Sequence, residues 1–387
     1  MVECTLEPMY HSGDIQRLAG SKTLGNAAFI FVIDPPALVM EAVLLIASIK
    51  RHMPHIDMIA YCPEEKFNFI PEQLHEYLKH NSVKILPMKT DGFFSPHYKQ
   101  GNKLIACAKP RPHQATIFLD TDTVIWRPFD VEQMIAEGAV SVAPEGRYTW
   151  GKPDGHWNLV YDIFGISMPE DKIRLARSGA LSPPYFNAGV VGFPNTSTEG
   201  YDSFSSCWLA SALEIDKEKY NIPERRPWLD QIALPIAIIK SGLSYKIISD
   251  DFNLSLTHKA VNEKESSVKN KNFQREIDRL NELDPYILHY HNFKSLDGLK
   301  YQGYLDLVLK EHTAFEALSD MHWENNLGFD QYTVMEKFKI QKEIYKKNKT
   351  ADNLFKLQEL REKKEIIKKF KNDKEIYKKI WPDSIVK

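Results

Sequence analysis

The stretch Thr116-Ile-Phe-Leu-Asp-Thr-Asp122 decides how the chain is read. Ile117, Phe118 and Leu119 form a short apolar run of the kind expected for a strand covered on both faces. Asp120 and Asp122 follow at once. On extended backbone, side chains two apart point the same way, so both carboxylates face one small volume while Thr121 points away. Such a pair suits a hard divalent cation, Mn²⁺ or Mg²⁺, which takes one or two carboxylates and leaves other positions to water and substrate phosphates. The same residues would also serve as a polar turn after a core strand, each Asp accepting backbone hydrogen bonds. The flanking sequence has to choose between the two.

Upstream, 27–33 reads as a buried strand and 37–49 as a helix launched by the Asp34-Pro35-Pro36 turn, with Pro36 acceptable in its first turn. Residues 58–62 and 83–86 are strand-like, 71–80 is helical, and 103–109 resembles one or two helical turns. Strands alternating with helices imply crossover connections and a mostly parallel sheet. Ligands of such sheets bind beyond the carboxyl ends of strands, where Asp120 and Asp122 fall.

Downstream, 124–129 continues extended and 139–143 is a strand. Residues 144–161, with Tyr148, Trp150, His156, Trp157 and Tyr161, show no period and read as a loop. It is either a wall that offers aromatic faces to a sugar or a satellite core. Ser167 to Glu170 fits a capping box, predicting a helix that Gly179 ends. In Pro184-Tyr-Phe-Asn-Ala-Gly-Val-Val-Gly-Phe193, the valines belong to a buried strand. Ala188 and Gly189 let a ligand approach the backbone, and Asn187 either bonds a hydroxyl or satisfies a turn. Helices are predicted over 204–213 and 229–241; Asp230 and Gln231 at the second start are either first-turn residues favoured by the helix dipole or edges of the site. A strand at 245–248, a polar loop at 259–272 and a helix at 274–283 precede Tyr286-Ile-Leu-His-Tyr-His-Asn-Phe-Lys294. There His289 and His291 share a strand face. Imidazole suits Mn²⁺ better than Mg²⁺, so a histidine joining the two aspartates would favour manganese.

The chain of 387 residues is 43% hydrophobic and 26% charged, an ordinary globular composition. Its net charge of −2 hides an asymmetry: residues 331–387 carry 17 Lys and Arg against 9 Asp and Glu, and the rest 33 against 43. An acidic body argues against a nucleic-acid groove. The basic tail has spaced apolar residues and reads as amphipathic helices, suited to packing on the body, a second subunit, a partner or an acidic membrane surface. Cys4, Cys62, Cys107 and Cys207 form no Cys-x-x-Cys pair, which points to reduced thiols and a cytoplasmic location. The start lacks the pattern of a secretory signal, and the hydrophobic stretch 27–49 is interrupted by Asp34-Pro35-Pro36 and Glu41, so no membrane span is expected.

Four segments together resemble the GT-A fold glycosyltransferases, especially glycosyltransferase family 8, which includes glycogenin-like and lipopolysaccharide sugar transferases. Phe118-Leu-Asp-Thr-Asp-Thr-Val124 is similar to that family's Asp-x-Asp strand, Tyr185-Phe-Asn-Ala-Gly-Val190 to its Phe-Asn-x-Gly strand, and Leu229-Asp-Gln231 to its Asp-Gln helix start. His289-Tyr-His-Asn-Phe-Lys294 resembles its His-x-x-Gly-x-x-Lys-Pro-Trp motif, with Asn292 in place of Gly, Lys294 one residue early and no Pro-Trp. The resemblance implies an α/β GT-A domain over 25–300, after an N-terminal extension of 1–24 and before a helical Lys-rich extension of 301–387. It implies transfer of a sugar, with retention of configuration, from a nucleotide-diphosphate donor, UDP-sugar being favoured, to a glycan, protein or lipid-linked acceptor. By the same resemblance Asp120 would contact metal and ribose, Asp122 and His289 would ligate the metal, Lys294 would hold a diphosphate oxygen, and Lys103 would help bind the donor. Asn187, Asp230 and Gln231 would surround the transferred sugar. Attack on the leaving-group face would use the diphosphate as base, and a double displacement would need a nucleophile, for which Asp230 is the candidate.

Two other readings fit a site of this kind. A non-catalytic module would hold a nucleotide sugar or glycan without turnover. A sugar nucleotidyltransferase would usually carry a Gly-rich phosphate loop after the first strand, and Ile33-Asp-Pro-Pro36 is the opposite of one.

Overall fold

The computed structural model describes residues 26–380 except 36–37, 69, 71, 153–154, 257–266, 292, 297 and 304–330. Its centre is a seven-stranded sheet. β1 (Ala27–Val32), β2 (Asp57–Pro63), β3 (Val83–Met88), β4 (Ala115–Leu119), β6 (Ala139–Pro144), β9 (Phe186–Pro194) and β10 (Ser244–Ile247) lie in the order β10-β6-β9-β4-β1-β2-β3. Every neighbouring pair is parallel except those made by β9, which runs against both β4 and β6. β1 and β4 are wholly buried, as their uninterrupted apolar sequences require of strands covered on two faces. On one face lie α1 (Val39–His52) and α3 (Glu72–His80), joined to the sheet edge by the short α2 (Glu64–Phe67). On the other lie α4 (Gly101–Cys107), α5 (Gly155–Ile163), α6 (Phe204–Ile215) and α7 (Leu229–Lys240).

A second, three-stranded sheet positions the far half of the site. β5 (Thr123–Ile125) sits at one edge of it, antiparallel to β12 (Ile287–His289), and β11 (Leu254–Ser255) runs parallel to β12. α8 (Ser267–Glu282) precedes β12. The predicted helix began at 274; this one begins seven residues earlier, in what was expected to be a polar loop, the remainder of which lies outside the described residues. The predicted start of α1 at Ala37 and the placement of Pro36 also lie outside them.

Two local expectations are corrected. Residues 167–179 form no helix; β7 (Ile173–Arg174) and β8 (Leu181–Ser182) pair as a hairpin whose turn contains Gly179 at φ 64°. Ile173 and Leu175 are both buried while Arg174 between them is exposed, an alternation of period two that overrides the cap-like Ser and Glu upstream. Conversely, the loop expected over 144–161 contains α5, because Trp157, Val160 and Tyr161 are spaced to bury one helical face. The aromatics there serve mainly as core: Trp150 and Trp157 meet edge to face at 5.0 Å, and Trp150 Nε1 donates to the Pro223 carbonyl at 2.8 Å.

The basic tail forms α9 (Gln331–Lys347) and α10 (Ala351–Ile380), a helical hairpin tied near its tip by Gln341 Nε2, which donates to the Asn353 carbonyl at 3.1 Å. Among the described residues no helix is long and apolar enough to cross a membrane.

Candidate functional site

The chain leaves β4 at Leu119 and delivers Asp120 and Asp122 to the carboxyl ends of the parallel strands, as the opening stretch implies. The reversed strand β9 starts at that same end, so Asn187 and Gly189 stand beside Asp120, whose N–H donates to the Gly189 carbonyl at 2.7 Å. β12 is brought in by pairing with β5, which sets His289 opposite Thr123, and the Tyr290 N–H donates to the Asp122 carbonyl at 3.0 Å.

The two aspartates have separate partners. Asp120 Oδ2 accepts from Lys103 Nζ at 2.9 Å, and the same ammonium lies 3.0 Å from Asp230 Oδ2 and donates to the Ala188 carbonyl at 3.2 Å. Burial works against the charge on Lys103, but the two carboxylates outweigh it and raise its pKa, so the side chain is a fixed cation. Burial raises the Asp120 carboxyl, an effect that Lys103 opposes and the neighbouring Asp122 reinforces. Asp230 is buried at the first turn of α7, its carboxylate also 3.4 Å from the Tyr98 hydroxyl and its carbonyl accepting from Trp208 Nε1 at 2.9 Å. Next to it, Gln231 is buried and its Oε1 has no hydrogen-bond partner among the described residues.

Asp122 instead faces two histidines. One ligand atom from each of Asp122, His289 and His291 falls within 4.8 Å of the others, and Asp122 Oδ1 is 3.3 Å from His289 Nε2. β12 ends at His289, and left-handed backbone at His291 (φ 57°) folds its ring back onto that of His289, centroids 3.9 Å apart. Such a conformation costs a residue with a Cβ on the order of 1 kcal/mol. Burial and the adjacent His289 push the His291 imidazole down to about 3, so it keeps a lone pair for a cation. Its Nε2 is 2.8 Å from Ser255 Oγ. Burial disfavours charge on His289, yet the Asp122 carboxylate prevails and raises its pKa. One carboxylate oxygen and two imidazole nitrogens form a donor set suited to Mn²⁺ and other first-row cations rather than to Mg²⁺, which prefers oxygen.

Of the residues singled out in the sequence, Lys103, Asp120 and Asp230 thus form one cluster, and Asp122, His289 and His291 another beside it. Asn187 joins neither by direct contact. Its Oδ1 accepts from Gly189 N and Asn253 Nδ2, both at 2.9 Å, and its Nδ2 donates to Glu145 Oε2 at 3.1 Å. Lys294 lies on the 3₁₀ turn Phe293–Leu296, and its side chain lies outside what is described. Glu145, Asn253 and Ser255 were not anticipated; Glu145 follows β6, Asn253 precedes β11 and Ser255 lies in it, none carries a periodic or motif signal, and only the sheet pairing brings them here. A cleft of about 620 Å³ opens beside this network, with Glu145, Arg147, Arg177, Asn187, Asn253 and Ser255 among its lining residues.

Gly189 has a use other than admitting a ligand. A Cβ built there would stand 2.4 Å from His289 Cε1 and 3.0 Å from Asn187 Oδ1, so the imidazole lies against bare backbone. Gly189→Ala is expected to displace the ring, weakening Mn²⁺ binding about tenfold or more and costing about 1–3 kcal/mol of stability. A Mn²⁺ titration and a denaturant melt check both effects.

A profile of the Rhodobacterales glycosyltransferase domain matches residues 29–242, more than half of the chain. The chain belongs to this glycosyltransferase family. The matched span runs from β1 to the end of α7 and contains Lys103, Asp120, Asp122, Asn187, Asp230 and Gln231, while the two histidines lie beyond it. Solved structures similar to the chain include the galactosyltransferase LgtC in complex with donor and acceptor sugar analogs (12% identity, TM-score 0.44, covering 74% of this chain and 96% of that one). Mouse xyloside xylosyltransferase 1 is 13% identical with a TM-score of 0.42, covering 68% of this chain and 97% of that one. GlyE of Streptococcus pneumoniae TIGR4 is 16% identical with a TM-score of 0.38, covering 68% of this chain and 54% of GlyE, so the chain spans about half the length of that relative. A search of curated proteins finds no match.

Proposed function

We propose that this glycosyltransferase has a GT-A catalytic domain over 25–300 and moves a sugar from a nucleotide-diphosphate donor, UDP-sugar being favoured, in a metal-dependent reaction that retains configuration. The observation that carries this reading is the meeting of Asp122, His289 and His291 within 4.8 Å at the carboxyl end of the sheet, directly beside the Lys103 cluster. We assign the three to a divalent cation, with manganese preferred for the two imidazoles. When bound, such an ion supplies positive charge against the negative charge that grows on the departing diphosphate.

The remaining steps belong to the chain itself. Lys103, fixed between Asp120 and Asp230, contributes a permanent positive charge to the donor site, and Asp120 is left to meet the ribose. Gln231, with its buried and unpartnered Oε1, is assigned to a hydroxyl or amide of the transferred sugar, since an unmade bond at a buried oxygen costs about 1–3 kcal/mol. Asp230 is held by a cation and a phenol, which suits it to steadying the developing positive charge at the anomeric carbon more than to attacking it. That favours attack on the leaving-group face, with the diphosphate taking the acceptor's proton. The cleft lined by Glu145, Arg147 and Arg177 is assigned to the acceptor. The Lys-rich hairpin α9–α10, which exposes Ile340, Ile344, Leu354 and Phe355, is assigned to contact with a membrane surface or a partner.

Thermal unfolding with UDP, GDP, CDP and ADP, each with and without Mn²⁺, tests the donor site. Ligand at a hundredfold its dissociation constant stabilises the native state by about 2.7 kcal/mol. One nucleotide is expected to raise the melting temperature only when Mn²⁺ is present. A folded protein that responds to none of the four would remove the metal-dependent transferase reading.

A further inference from the structure

Asn253 belongs to no motif, yet it is buried between β9 and β12 and touches both Asn187 and His289. The direction of its hydrogen bonds follows from one group that has no choice. The Gly189 backbone N–H can only donate, and it donates to Asn187 Oδ1 at 2.9 Å, which makes that atom the amide oxygen. Asn187 Nδ2 is then the donor to Glu145 Oε2 at 3.1 Å, a carboxylate oxygen that accepts. The second donor to Asn187 Oδ1 is the amide nitrogen of Asn253, at 2.9 Å. Its oxygen is thereby turned to His289 Nδ1, 3.0 Å away. A carbonyl oxygen only accepts, so Nδ1 carries the proton, and a neutral imidazole has no second one. Nε2, the nitrogen 3.3 Å from Asp122 Oδ1, is left as a lone pair.

We propose that Asn253 is a positioning residue that holds His289 in the Nδ1–H tautomer and so presents Nε2 to a divalent cation, the relay being directed from the Gly189 N–H through Asn187. This rests on the metal-site reading above. Among the described residues no other group is bonded to His289 Nδ1. With that acceptor removed, the ring gains by placing its proton on Nε2 and donating to Asp122, which blocks the nitrogen that a cation needs.

The test uses the full chain with ¹⁵N-labelled histidine and two variants, Asn253→Ala and Asn253→Asp; the second keeps an acceptor oxygen toward Nδ1. Long-range ¹H–¹⁵N spectra of metal-free protein, taken at a pH that leaves the ring neutral, report the tautomer. Mn²⁺ titration followed by the electron paramagnetic resonance of the free ion reports affinity. Wild type and Asn253→Asp are expected to show Nδ1–H, and Asn253→Ala to shift toward Nε2–H with Mn²⁺ affinity lower by about 10–100-fold. A folded Asn253→Ala protein with the wild-type tautomer and affinity overturns the inference alone, because its wild-type parent still binds metal. An Asn253→Asp protein that shifts toward Nε2–H as Asn253→Ala does also overturns it, since an acceptor oxygen facing Nδ1 would then not set the tautomer. A wild-type chain that binds neither Mn²⁺ nor other first-row cations overturns the metal-site reading itself.

Discussion

Asp122→Ala is expected to lower sugar transfer by about a thousandfold while leaving the melting temperature of the unliganded protein nearly unchanged. The size follows from the loss of one fixed charge-stabilising group, which typically costs 10²–10³ in rate. Asp122 supplies the sole carboxylate among three ligand atoms within 4.8 Å, and its removal leaves two adjacent imidazoles with no anion to balance a dication. Fold stability is spared because its side chain is about a quarter exposed, and its backbone bond to Tyr290 survives the substitution. Chelation of divalent metal from the wild type is expected to reproduce the loss, and added Mn²⁺ to restore the wild type but not the variant. Initial rates of transfer from the nucleotide sugar, measured across a Mn²⁺ series, check this. A variant that keeps about a tenth of wild-type activity would remove Asp122 from the role assigned to it.

Lys103→Met makes the larger demand on stability. One ammonium neutralises two carboxylates, at 2.9 and 3.0 Å; its own side chain is 11% exposed and that of Asp230 6%, while Asp120 is part-buried. Breaking a buried pair on one side costs about 3–5 kcal/mol, because the charge left behind has lost its solvent and its partner. Asp230 is left buried and Asp120 part-buried, so the variant is expected to lose about 3 kcal/mol in urea denaturation near neutral pH. The pH dependence has a definite sign. Burial already holds the Asp120 carboxyl above its ordinary value, and removing the cation that opposes this raises it further, so the native state of the variant binds more protons than the unfolded one. A raised carboxylate contributes its stability at low pH and loses it as pH rises through the folded value. The deficit of the variant relative to wild type is therefore expected to shrink as the pH is lowered from 7 toward 5. Adding Asp230→Asn to Lys103→Met should recover part of the loss at pH 7, and a deficit independent of pH would show that packing, not charge, is the cause.

Much of the fold is legible in the sequence because it is written in short-range patterns. The apolar runs at 27–33 and 117–119 read as buried strands, and their alternation with helices implies the parallel sheet. The same reasoning put Asp120 and Asp122 at the strand ends. It failed at 167–179, where Ser167 and Glu170 mimic a helix start but the buried Ile173 and Leu175 demand a strand. The site was readable as a set of residues and not as a set of partners. Strand alternation puts Asp120 and Asp122 on one face, but it does not say that a lysine from α4 claims the first and leaves the second to the histidines. Nor does alternation explain why His289 and His291 meet, since β12 stops at His289 and left-handed backbone brings the second ring back. For Asn187 the sequence left open whether it bonds a hydroxyl or satisfies a turn. Its bonds to Asn253 and Glu145 span 66 and 42 residues and depend on a sheet pairing that no local window contains.

The single reversed strand has a bearing on how such an enzyme can diversify. Because β9 runs against β4, its first residues rather than its last arrive at the active end of the sheet, level with the residues that leave β4. Candidate site residues are thus fixed at both boundaries of the intervening chain, Asp120 and Asp122 at its beginning and Asn187 and Gly189 at its end. Between them lie β6, α5 and the hairpin β7–β8, including Glu145, Arg147 and Arg177 of the cleft wall. β5 and β6 tie the start of that segment into the two sheets, so the stretch from the end of β6 to the start of β9 is the part clamped at two points of one sheet. Its loops can lengthen, shorten or change charge while the candidate site residues on either side stay in register.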